Sequence, residues 1–164
     1  MKSIRFNPPK DWYPNRLQEE QGDGQIIKFT SNINRYWVGL NKLAQAVGQE
    51  LTIDKIFNPK MIEIGSYMGE STLVFGSMIN WGEIHCIDPF EGSEIMNDIA
   101  DLSWEEVKNN FDQNTKYFNV KLHQDYSYNI ANEFKDNDFD FLYIDGNHDH
   151  AAVRTDLQLY VPKV

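Results

Sequence analysis

The chain has 164 residues, of which 41% are hydrophobic and 13% aromatic, and its formal net charge is −10. This length and apolar content suffice for one domain with a sizeable core. The acidity argues against nucleic acid or an anionic membrane as the main partner. Because the sequence lacks an apolar run of about 18 residues and a signal-peptide core, it predicts a cytoplasmic protein. The single cysteine, Cys86, lies in an apolar run and is interpreted as a buried hydrophobe, not a nucleophile.

The N-terminal part of the sequence differs in composition from the rest. Residues 1–30 are rich in proline, glycine and aromatic residues, which predicts an irregular arm. Either a poorly ordered terminus or an arm docked on the domain fits this composition. Residues 31–48 carry apolar side chains at helical spacing, with Ser31 as a candidate N-cap and Gly48 as a stop signal. The domain itself is therefore predicted to span residues 31–164.

The remaining sequence alternates between strand and helix patterns. This alternation predicts an α/β fold, a Rossmann-like parallel sheet with helices on both faces. The third strand alternates apolar and polar residues, as an edge strand does, whereas the apolar first and fourth strands are predicted to be central. Ser103 and Glu106 form a predicted capping box. The predicted strands are 61–64, 83–87, 118–123 and 139–144, and the predicted helices are 69–80, 103–115, 126–135 and 148–161.

The most informative stretch is residues 61–72. An apolar strand ends there at an acidic residue and is followed by Gly65, Gly69 and hydroxyl residues that open a helix. Asp88 ends the next strand about 20 residues after Gly69, the offset at which such folds bind a ribose diol. The turn and Asp88 together predict an adenosine-type cofactor.

The residues of this turn distinguish between cofactors. A dinucleotide fingerprint that starts at Gly65 requires glycines where this chain has Tyr67 and Glu70. Glu70 also places negative charge at the helix N-terminus, where a pyrophosphate would bind. A nicotinamide-dependent oxidoreductase is therefore disfavoured. A ligand with a sulfonium and an ammonium group, such as S-adenosylmethionine, suits the turn better.

Two motifs carry a resemblance to a known family. Glu-Ile-Gly-Ser-Tyr-Met-Gly at residues 63–69 resembles the glycine loop of class I S-adenosylmethionine-dependent methyltransferases, and its Gly-x-Tyr-x-Gly form is similar to the catechol O-methyltransferase group. Ile-Asp-Gly-Asn-His at residues 144–148 resembles a branch that methylates hydroxyls of sugars and macrolides. Asp156 also matches that branch, whereas His150 stands where the branch usually has tyrosine. The resemblance covers residues 55–164 and implies the class I methyltransferase fold.

The resemblance implies roles for individual residues in cofactor binding. It places Glu63 at the methionine end of the cofactor, Asp88 on the ribose hydroxyls and Asp125 on the adenine amine. Ser71 and Thr72 either donate to the methionine carboxylate or cap the helix. Gly69 is implied to allow close approach of the backbone. The implied cofactor-binding residues are Glu63, Gly65, Ser66, Tyr67, Gly69, Ser71, Thr72, Asp88, Gln124 and Asp125.

The second motif implies catalytic roles. His148 matches the general base of the sugar branch, and Asp145 matches an aspartate that binds a divalent cation such as Mg²⁺ in metal-dependent relatives. Each has a structural alternative, Asp145 as an acceptor at a helix start and His148 as an exposed first-turn residue. The predicted function is transfer of a methyl group from S-adenosylmethionine to a hydroxyl of a small molecule, with a sugar as one acceptor class. The alternative is a catalytically inactive cofactor-binding or assembly module of the same fold.

The sequence ends at residues 159–164, where the family continues with three further strands. One of these strands carries the acidic pair that completes the family's metal site, so a metal site in this chain would lack a carboxylate. The resemblance therefore implies a C-terminally incomplete domain with an exposed fourth-strand edge. Either the chain is a fragment, which we favour, or a partner such as a second copy covers that edge.

Overall fold

The computed structural model describes residues 25–92 and 103–164, with side chains from residue 39 onward. Strands and helices alternate after a long first helix. The helices are α1 (Gln25–Ile53), α2 (Glu70–Met78), α3 (Trp104–Thr115), α4 (Ser127–Ile130) and α5 (His150–Tyr160), with 3-10 turns at Ala131–Glu133 and Val161–Lys163. The strands are β1 (Lys60–Ile64), β2 (Glu83–Ile87), β3 (Val120–His123) and β4 (Phe141–Ile144).

The four strands pair in parallel in the order β3-β2-β1-β4. β1 has a neighbour on each side, so that Ile62 pairs with His85 of β2 and with Leu142 of β4. Because the strands are parallel, their carboxyl ends lie at the same edge of the sheet. The predicted α/β fold is confirmed, and β3 lies at an edge of the sheet as predicted.

β4 forms the other edge of the sheet that residues 25–92 and 103–164 build. Within these ranges no strand pairs with its outer side. The four residues of β4 are half-buried, whereas residues 61–64 of β1 are buried. The apolar pattern of β4 predicted a central position, whereas β4 lies at an edge of this sheet, as the resemblance implied for a chain without the family's further strands. That pattern arises because Phe141 and Leu142 pack into different cores on the two faces.

The sheet separates two apolar cores. Successive side chains of a strand point to opposite faces, so Met61 packs toward α1, α2 and α3 while Ile62 packs toward α4 and α5. Burial of each such side chain stabilises the fold by about 1.5–3 kcal/mol. The first core includes Leu40, Ala44, Val74, Phe75, Ile84, Val107 and Phe111, and the second includes Ile64, Ile87, Ile130, Phe134, Phe139 and Tyr160.

Helix α1 is longer than predicted at both ends. It begins at Gln25, so Ser31 is not its N-cap and the predicted irregular arm overlaps it; residues 1–24 lie outside the described residues. The helix also continues through Gly48, where an added Cβ would make an ordinary contact with Ile79, and its last turn is held by buried Leu51. Neither α1 nor any other helix in the described part of the chain is both long and apolar enough to cross a membrane.

Local sequence signals predicted the start of α3 correctly but not the length of α4. The capping box of α3 is present, since Ser103 Oγ accepts from Glu106 N at 3.2 Å and Glu106 Oε2 accepts from Ser103 N at 2.8 Å. The helix predicted over residues 126–135 is instead the single turn of α4 followed by a 3-10 turn. It ends early because Phe134 adopts an extended backbone conformation and enters the second core.

A pair of histidines joins β2 to β3 on the face of the second core. His85 Nδ1 lies 3.0 Å from His123 Nε2, and the rings stack with centroids 5.2 Å apart. His85 Nε2 contacts Glu83, which also pairs with Lys121 at 2.8 Å, and these contacts hold the pKa of Glu83 at about 2. Burial lowers the pKa of His123 from its ordinary value of 6.5, with His85 and Lys121 adding to the effect and Glu133 opposing it.

Protonation of His123 is therefore expected to destabilise the fold. Because the pKa of His123 is lower in the folded state, the unfolded state binds more protons, and the free energy of unfolding falls as pH decreases below about 6.5. Denaturant titrations between about pH 7.5 and 5.5 should show this loss, and His123→Gln should reduce it. The exposed His150 provides the control, since His150→Gln should leave the pH dependence unchanged. Equal pH profiles for wild type and His123→Gln would contradict the assignment.

Candidate functional site

A cleft of about 1420 Å³ opens at the carboxyl ends of the four strands. The loops after β1, β2, β3 and β4 all contribute to its walls, as expected for a ligand site in a parallel sheet. Eight of the predicted site residues line the cleft, and four do not. Those that line it are Gly65, Ser66, Tyr67, Ser71, Asp88, Asp125, Asp145 and His148, and those that do not are Glu63, Gly69, Thr72 and Gln124.

The two sequence motifs meet at a pair of glycines. Gly65 has a left-handed backbone with φ of +83°, and a Cβ on it would lie 2.4 Å from Gly146 Cα and 2.5 Å from Asp145 O. The Asp145 amide in turn donates to Ile64 O at 2.8 Å. The loop after β1 and the loop after β4 therefore pack backbone against backbone. This contact requires glycine at position 65.

Glu63 lies beneath the cleft instead of in its wall. Its side chain is fully buried on the α2 face of β1, where its carboxylate accepts hydrogen bonds from the Ser71 and Thr72 hydroxyls. The Cys86 thiol also donates to Glu63 Oε2 at 3.5 Å. Burial raises the pKa of Glu63, and the bonds from Ser71 and Thr72 oppose that shift. Neither hydroxyl caps α2, whose N-cap residue is Gly69, because Ser71 and Thr72 both donate to Glu63. Their binding of the methionine carboxylate stays a prediction.

Gly69 has a packing role that differs from the implied one. It precedes α2 with a left-handed φ of +75°, and a Cβ on it would lie 2.9 Å from Thr115 Cγ2 and 3.1 Å from the Phe111 ring. The residue is buried and does not line the cleft. Glycine is therefore needed here for the approach of α3, and the close approach of the backbone to a cofactor at Gly69 stays a prediction.

Asp88 connects the loops after β1 and β2. Its Oδ2 accepts from Tyr67 N and its Oδ1 accepts from Phe90 N, both at 2.8 Å. The residue is buried but lines the cleft. Burial raises its pKa, and the backbone donors Tyr67, Phe90 and Ser66 oppose the shift. The carboxylate thus fixes the shape of the glycine loop and presents an acceptor to the cleft.

Ser66 is a buried polar residue at the floor of the cleft. It is 2% exposed, and its hydroxyl lies near enough to Glu63 and Cys86 to lower the pKa of both groups. Nevertheless, no atom of the described residues completes a hydrogen bond of ordinary geometry with Ser66 Oγ. A buried hydroxyl without a partner is costly, so a polar ligand atom in the cleft would compensate it.

Aromatic side chains form part of the cleft walls, and of these only Tyr67 was among the residues implied by the sequence motifs. Tyr67 has its ring edge-on to Trp104, with centroids 6.3 Å apart. On the loop after β3, Tyr126 and Tyr128 stack with centroids 5.3 Å apart and are 39% and 57% exposed. The Tyr126 hydroxyl bonds to Glu91 across the mouth of the cleft, which raises the pKa of Tyr126. The motif Asp-Tyr-Ser-Tyr at the end of β3 was the available signal.

Asp125 and Gln124, implied to bind adenine, have different positions. Asp125 lines the cleft, and its Oδ1 accepts from Tyr126 N and Asn129 Nδ2, both at 2.7 Å. It therefore also fixes the start of α4. Gln124 is exposed and does not line the cleft. Behind this loop, Ser127 donates to buried Asp156, whose pKa is raised by burial.

Asp145 and His148, to which the second motif implies catalytic roles, lie close together. His148 Nε2 lies 3.7 Å from Asp145 Oδ1, with the His148 side chain 82% exposed and that of Asp145 23% exposed. Tyr143 Oη lies 3.4 Å from the other carboxylate oxygen of Asp145. The acid therefore lies between a phenol and an imidazole at the end of β4. An exposed imidazole beside a carboxylate at the cleft can accept a proton.

The described residues at the cleft do not form a binding site for a metal ion. In residues 39–92 and 103–164 no group of three or more His, Cys, Asp or Glu side chains is arranged to hold one. Mg²⁺ requires near-octahedral oxygen coordination, and Asp145 with His148 does not supply it.

The described side chains that line the cleft carry mostly negative charge. Seven carboxylates line it, and the described lining residues include no lysine or arginine. A pyrophosphate would be repelled there, which agrees with the absence of a dinucleotide fingerprint. The seven residues are Glu70, Asp88, Glu91, Asp125, Asp145, Asp149 and Asp156.

Residues 62–164 match the sequence family described as "Methyltransferase domain", and the chain belongs to that family. No curated protein matches the chain. Among solved structures, it is similar to a protein described as a caffeoyl-CoA O-methyltransferase from Staphylococcus aureus, with 16% identity, a TM-score of 0.45, and coverage of 90% of this chain and 64% of that one. It is also similar to the O-methyltransferase from Bacillus cereus in complex with SAH, with 18% identity, a TM-score of 0.44, and coverage of 85% and 63%. The chain thus spans less than two thirds of these relatives.

Proposed function

We propose that the cleft binds S-adenosylmethionine and that the domain serves to transfer its methyl group to a hydroxyl of a small molecule. The observation that carries this proposal is the acidic cleft beside the Gly65 loop in a chain of the methyltransferase domain family. A sulfonium and an ammonium group suit seven carboxylates, whereas phosphates do not. The buried Ser66 hydroxyl supports the proposal because a polar ligand atom would satisfy it.

The proposed cofactor contacts follow from the residues that line the cleft. Asp88 is suited to ribose hydroxyls because its carboxylate oxygens retain acceptor capacity beyond the two backbone bonds. Ser66 and the backbone of Gly65 face the same space and suit the amino-acid end. Tyr126 and Tyr128 expose a stacked aromatic surface that suits a flat base. Glu63 acts on this site indirectly, by holding Ser71 and the start of α2.

The proposed reaction requires two contributions from the protein. S-adenosylmethionine supplies a methyl group on a sulfonium, which is already activated for in-line displacement. The chain must position the acceptor and remove its proton. His148 is the proposed base and Asp145 its orienting carboxylate, because their side chains are 3.7 Å apart at the cleft. No step is assigned to Mg²⁺, since the described residues do not fit it. A sugar acceptor stays a prediction, and detectable turnover would exclude the alternative of an inactive module.

Calorimetric titration with S-adenosylhomocysteine tests the cofactor assignment. Wild type is expected to bind, and Asp88→Ala is expected to weaken binding by about 30-fold or more, because it removes the ribose acceptor and releases two loop amides. Asp112→Asn, which changes an exposed ion pair with Lys108 on α3, should bind as wild type does. Unchanged affinity in a folded Asp88→Ala variant would contradict the assignment. A thermal shift with NAD would instead favour the oxidoreductase.

A further inference from the structure

Asp156 on α5 lies in the wall of the cleft and has no role in the proposed function so far. The residue is 5% exposed, so almost all of its side chain is enclosed by protein. The Ser127 hydroxyl donates to Asp156 Oδ1 at 2.5 Å, a length typical of a hydrogen bond to an ionised carboxylate. A carboxylate can accept about four hydrogen bonds, and a buried one is costly unless donors surround it. Asp156 therefore has acceptor capacity that Ser127 does not use.

The second carboxylate oxygen of Asp156 is open to the cleft. No described residue donates to Asp156 Oδ2. Among the described residues that are not exposed, only Ser66 has a fully enclosed side-chain polar atom without a hydrogen-bond partner. Asp156 Oδ2 is therefore not fully enclosed. Since Asp156 lines the cleft, this oxygen is the part of the side chain that a ligand in the cleft can reach.

Ser127 fixes Asp156 relative to the loop after β3. Ser127 begins α4, and its carbonyl oxygen accepts from the buried Tyr160 hydroxyl at 2.6 Å. Helix α5 thus holds Ser127 by two hydrogen bonds, one to its side chain and one to its backbone. Because α4 is a single helical turn, which is not stable alone, these contacts help to decide where it lies. Tyr126 and Tyr128, the proposed surface for the base, are therefore held in a fixed relation to Asp156.

The chemistry of a carboxylate limits what Asp156 Oδ2 can bind. A base that stacks on Tyr126 and Tyr128 uses its faces for the rings and turns its edge to the wall of the cleft. Asp156 lies in that wall, bonded to the residue that follows Tyr126. An ionised carboxylate accepts hydrogen bonds and donates none. It therefore fits an amine at the edge of the base, whereas a carbonyl oxygen there would leave the buried carboxylate unpaired.

We propose that Asp156 determines the base specificity of the cofactor site, because its Oδ2 accepts a hydrogen bond from the exocyclic amine of adenine and disfavours a 6-oxopurine. This assignment rests on the proposed function and specifies one contact of S-adenosylmethionine. The resemblance implies Asp125 for the same amine, but Asp125 is half-buried, and its Oδ1 already accepts from Tyr126 N and Asn129 Nδ2. Asp156 is more enclosed, so a hydrogen bond to it competes less with water.

Calorimetric titration of the full chain with two ligands that differ at this position tests the assignment. S-inosylhomocysteine has a carbonyl oxygen where S-adenosylhomocysteine has the exocyclic amine. We expect wild type to bind S-adenosylhomocysteine at least about tenfold more tightly than S-inosylhomocysteine. Asp156→Asn should lower this ratio by about tenfold, because an amide can also donate to the carbonyl oxygen while it still accepts from Ser127. An unchanged ratio in a folded Asp156→Asn variant would overturn the proposal.

Asp149→Asn provides the matched control. It removes the same charge from the same cleft and from the start of the same helix. Asp149 is exposed and makes no side-chain cap bond to α5, so the ratio should stay as in wild type. An equal fall of the ratio in Asp149→Asn and Asp156→Asn would show that the preference comes from the total charge of the cleft, and the proposal would be wrong.

Ser127→Ala tests the assignment without a change at Asp156. The variant removes the hydrogen bond to Asp156 Oδ1, whereas the Tyr160 bond to the backbone of residue 127 can still form. Because Asp156 is then less firmly oriented, the ratio should fall by about threefold or more. This variant decides the matter if Asp156→Asn does not fold, and an unchanged ratio in it then contradicts the assignment.

The proposed function and the role of Asp156 fail in different ways. If wild type binds neither ligand, the cofactor assignment and the role of Asp156 are both overturned. If wild type binds the two ligands equally tightly, the cofactor site stands and the role of Asp156 is overturned. If Asp125→Asn removes the preference and Asp156→Asn keeps it, the amine belongs to Asp125 and the proposal is again overturned.

Discussion

Replacing Gly65 with alanine is expected to destabilise the domain by about 3 kcal/mol or more and to abolish binding of S-adenosylhomocysteine. Gly65 has a φ of +83°, and an added methyl group would lie 2.4 Å from Gly146 Cα and 2.5 Å from Gly146 N. The obstacle is the backbone of residues 145–146, so no side-chain rotation can relieve it. The loops after β1 and β4 would have to separate, which opens the cleft at its base. Urea denaturation and calorimetry would measure the two effects.

Two other glycines serve as controls for this substitution. Gly146 faces Gly65 but has no left-handed φ, and the nearest atom to a Cβ on it would be Ile64 Cγ2 at 3.4 Å, so Gly146→Ala should cost far less. Gly39 lies in α1 with nothing within 4 Å of an added Cβ, and Gly39→Ala should stabilise the helix by about 0.5–1 kcal/mol. Similar stabilities for Gly65→Ala and Gly146→Ala would show that the close approach is not a constraint.

The sequence predicted the fold well where local and long-range signals agreed. Residues 61–64 are apolar, end at a glycine turn and form the buried central strand, and the Ser103–Glu106 capping box starts α3 as expected. The sequence-based predictions were wrong where tertiary contacts overrode a local sequence signal. Gly48 looked like a helix stop, but Leu51 anchors a further turn in the first core. Phe134 likewise ends a predicted helix by entering the second core.

The site was predictable in its location but less so in its geometry. The predicted strand ends placed Asp88, Asp145 and His148 at the cleft, because parallel strands end at the same edge. The direction of a single side chain could not be read from the motif. Glu63 points to the α2 face by strand alternation, and Gly69 packs against α3. Such details depend on which helix covers which face of the sheet.

Glu63→Ala is expected to cost about 3–5 kcal/mol of stability. The substitution leaves the buried Ser71 and Thr72 hydroxyls without their acceptor and creates a cavity beneath the cleft. Glu63→Gln keeps the volume but offers one acceptor oxygen fewer, so we expect a loss of about 1–3 kcal/mol. Glu83→Gln is the matched control, because Glu83 is also a strand carboxylate but forms a partly exposed pair with Lys121, worth less than about 1 kcal/mol. Urea denaturation of the variants would measure these differences.

The pH dependence of Glu63→Gln separates a buried acid from an ordinary polar contact. Burial raises the pKa of Glu63 above its ordinary value of 4.5, so the folded state binds more protons than the unfolded state just above that pH. The stability that Glu63 contributes is therefore fully present below about pH 4.5 and is lost as pH rises through the folded-state pKa. The cost of Glu63→Gln should accordingly be largest at low pH and shrink toward neutrality. A cost that stays constant with pH would mean that Glu63 has the same pKa in the folded and unfolded states. The hydrogen bonds from Ser71 and Thr72 would then fully offset the effect of burial on the pKa of Glu63.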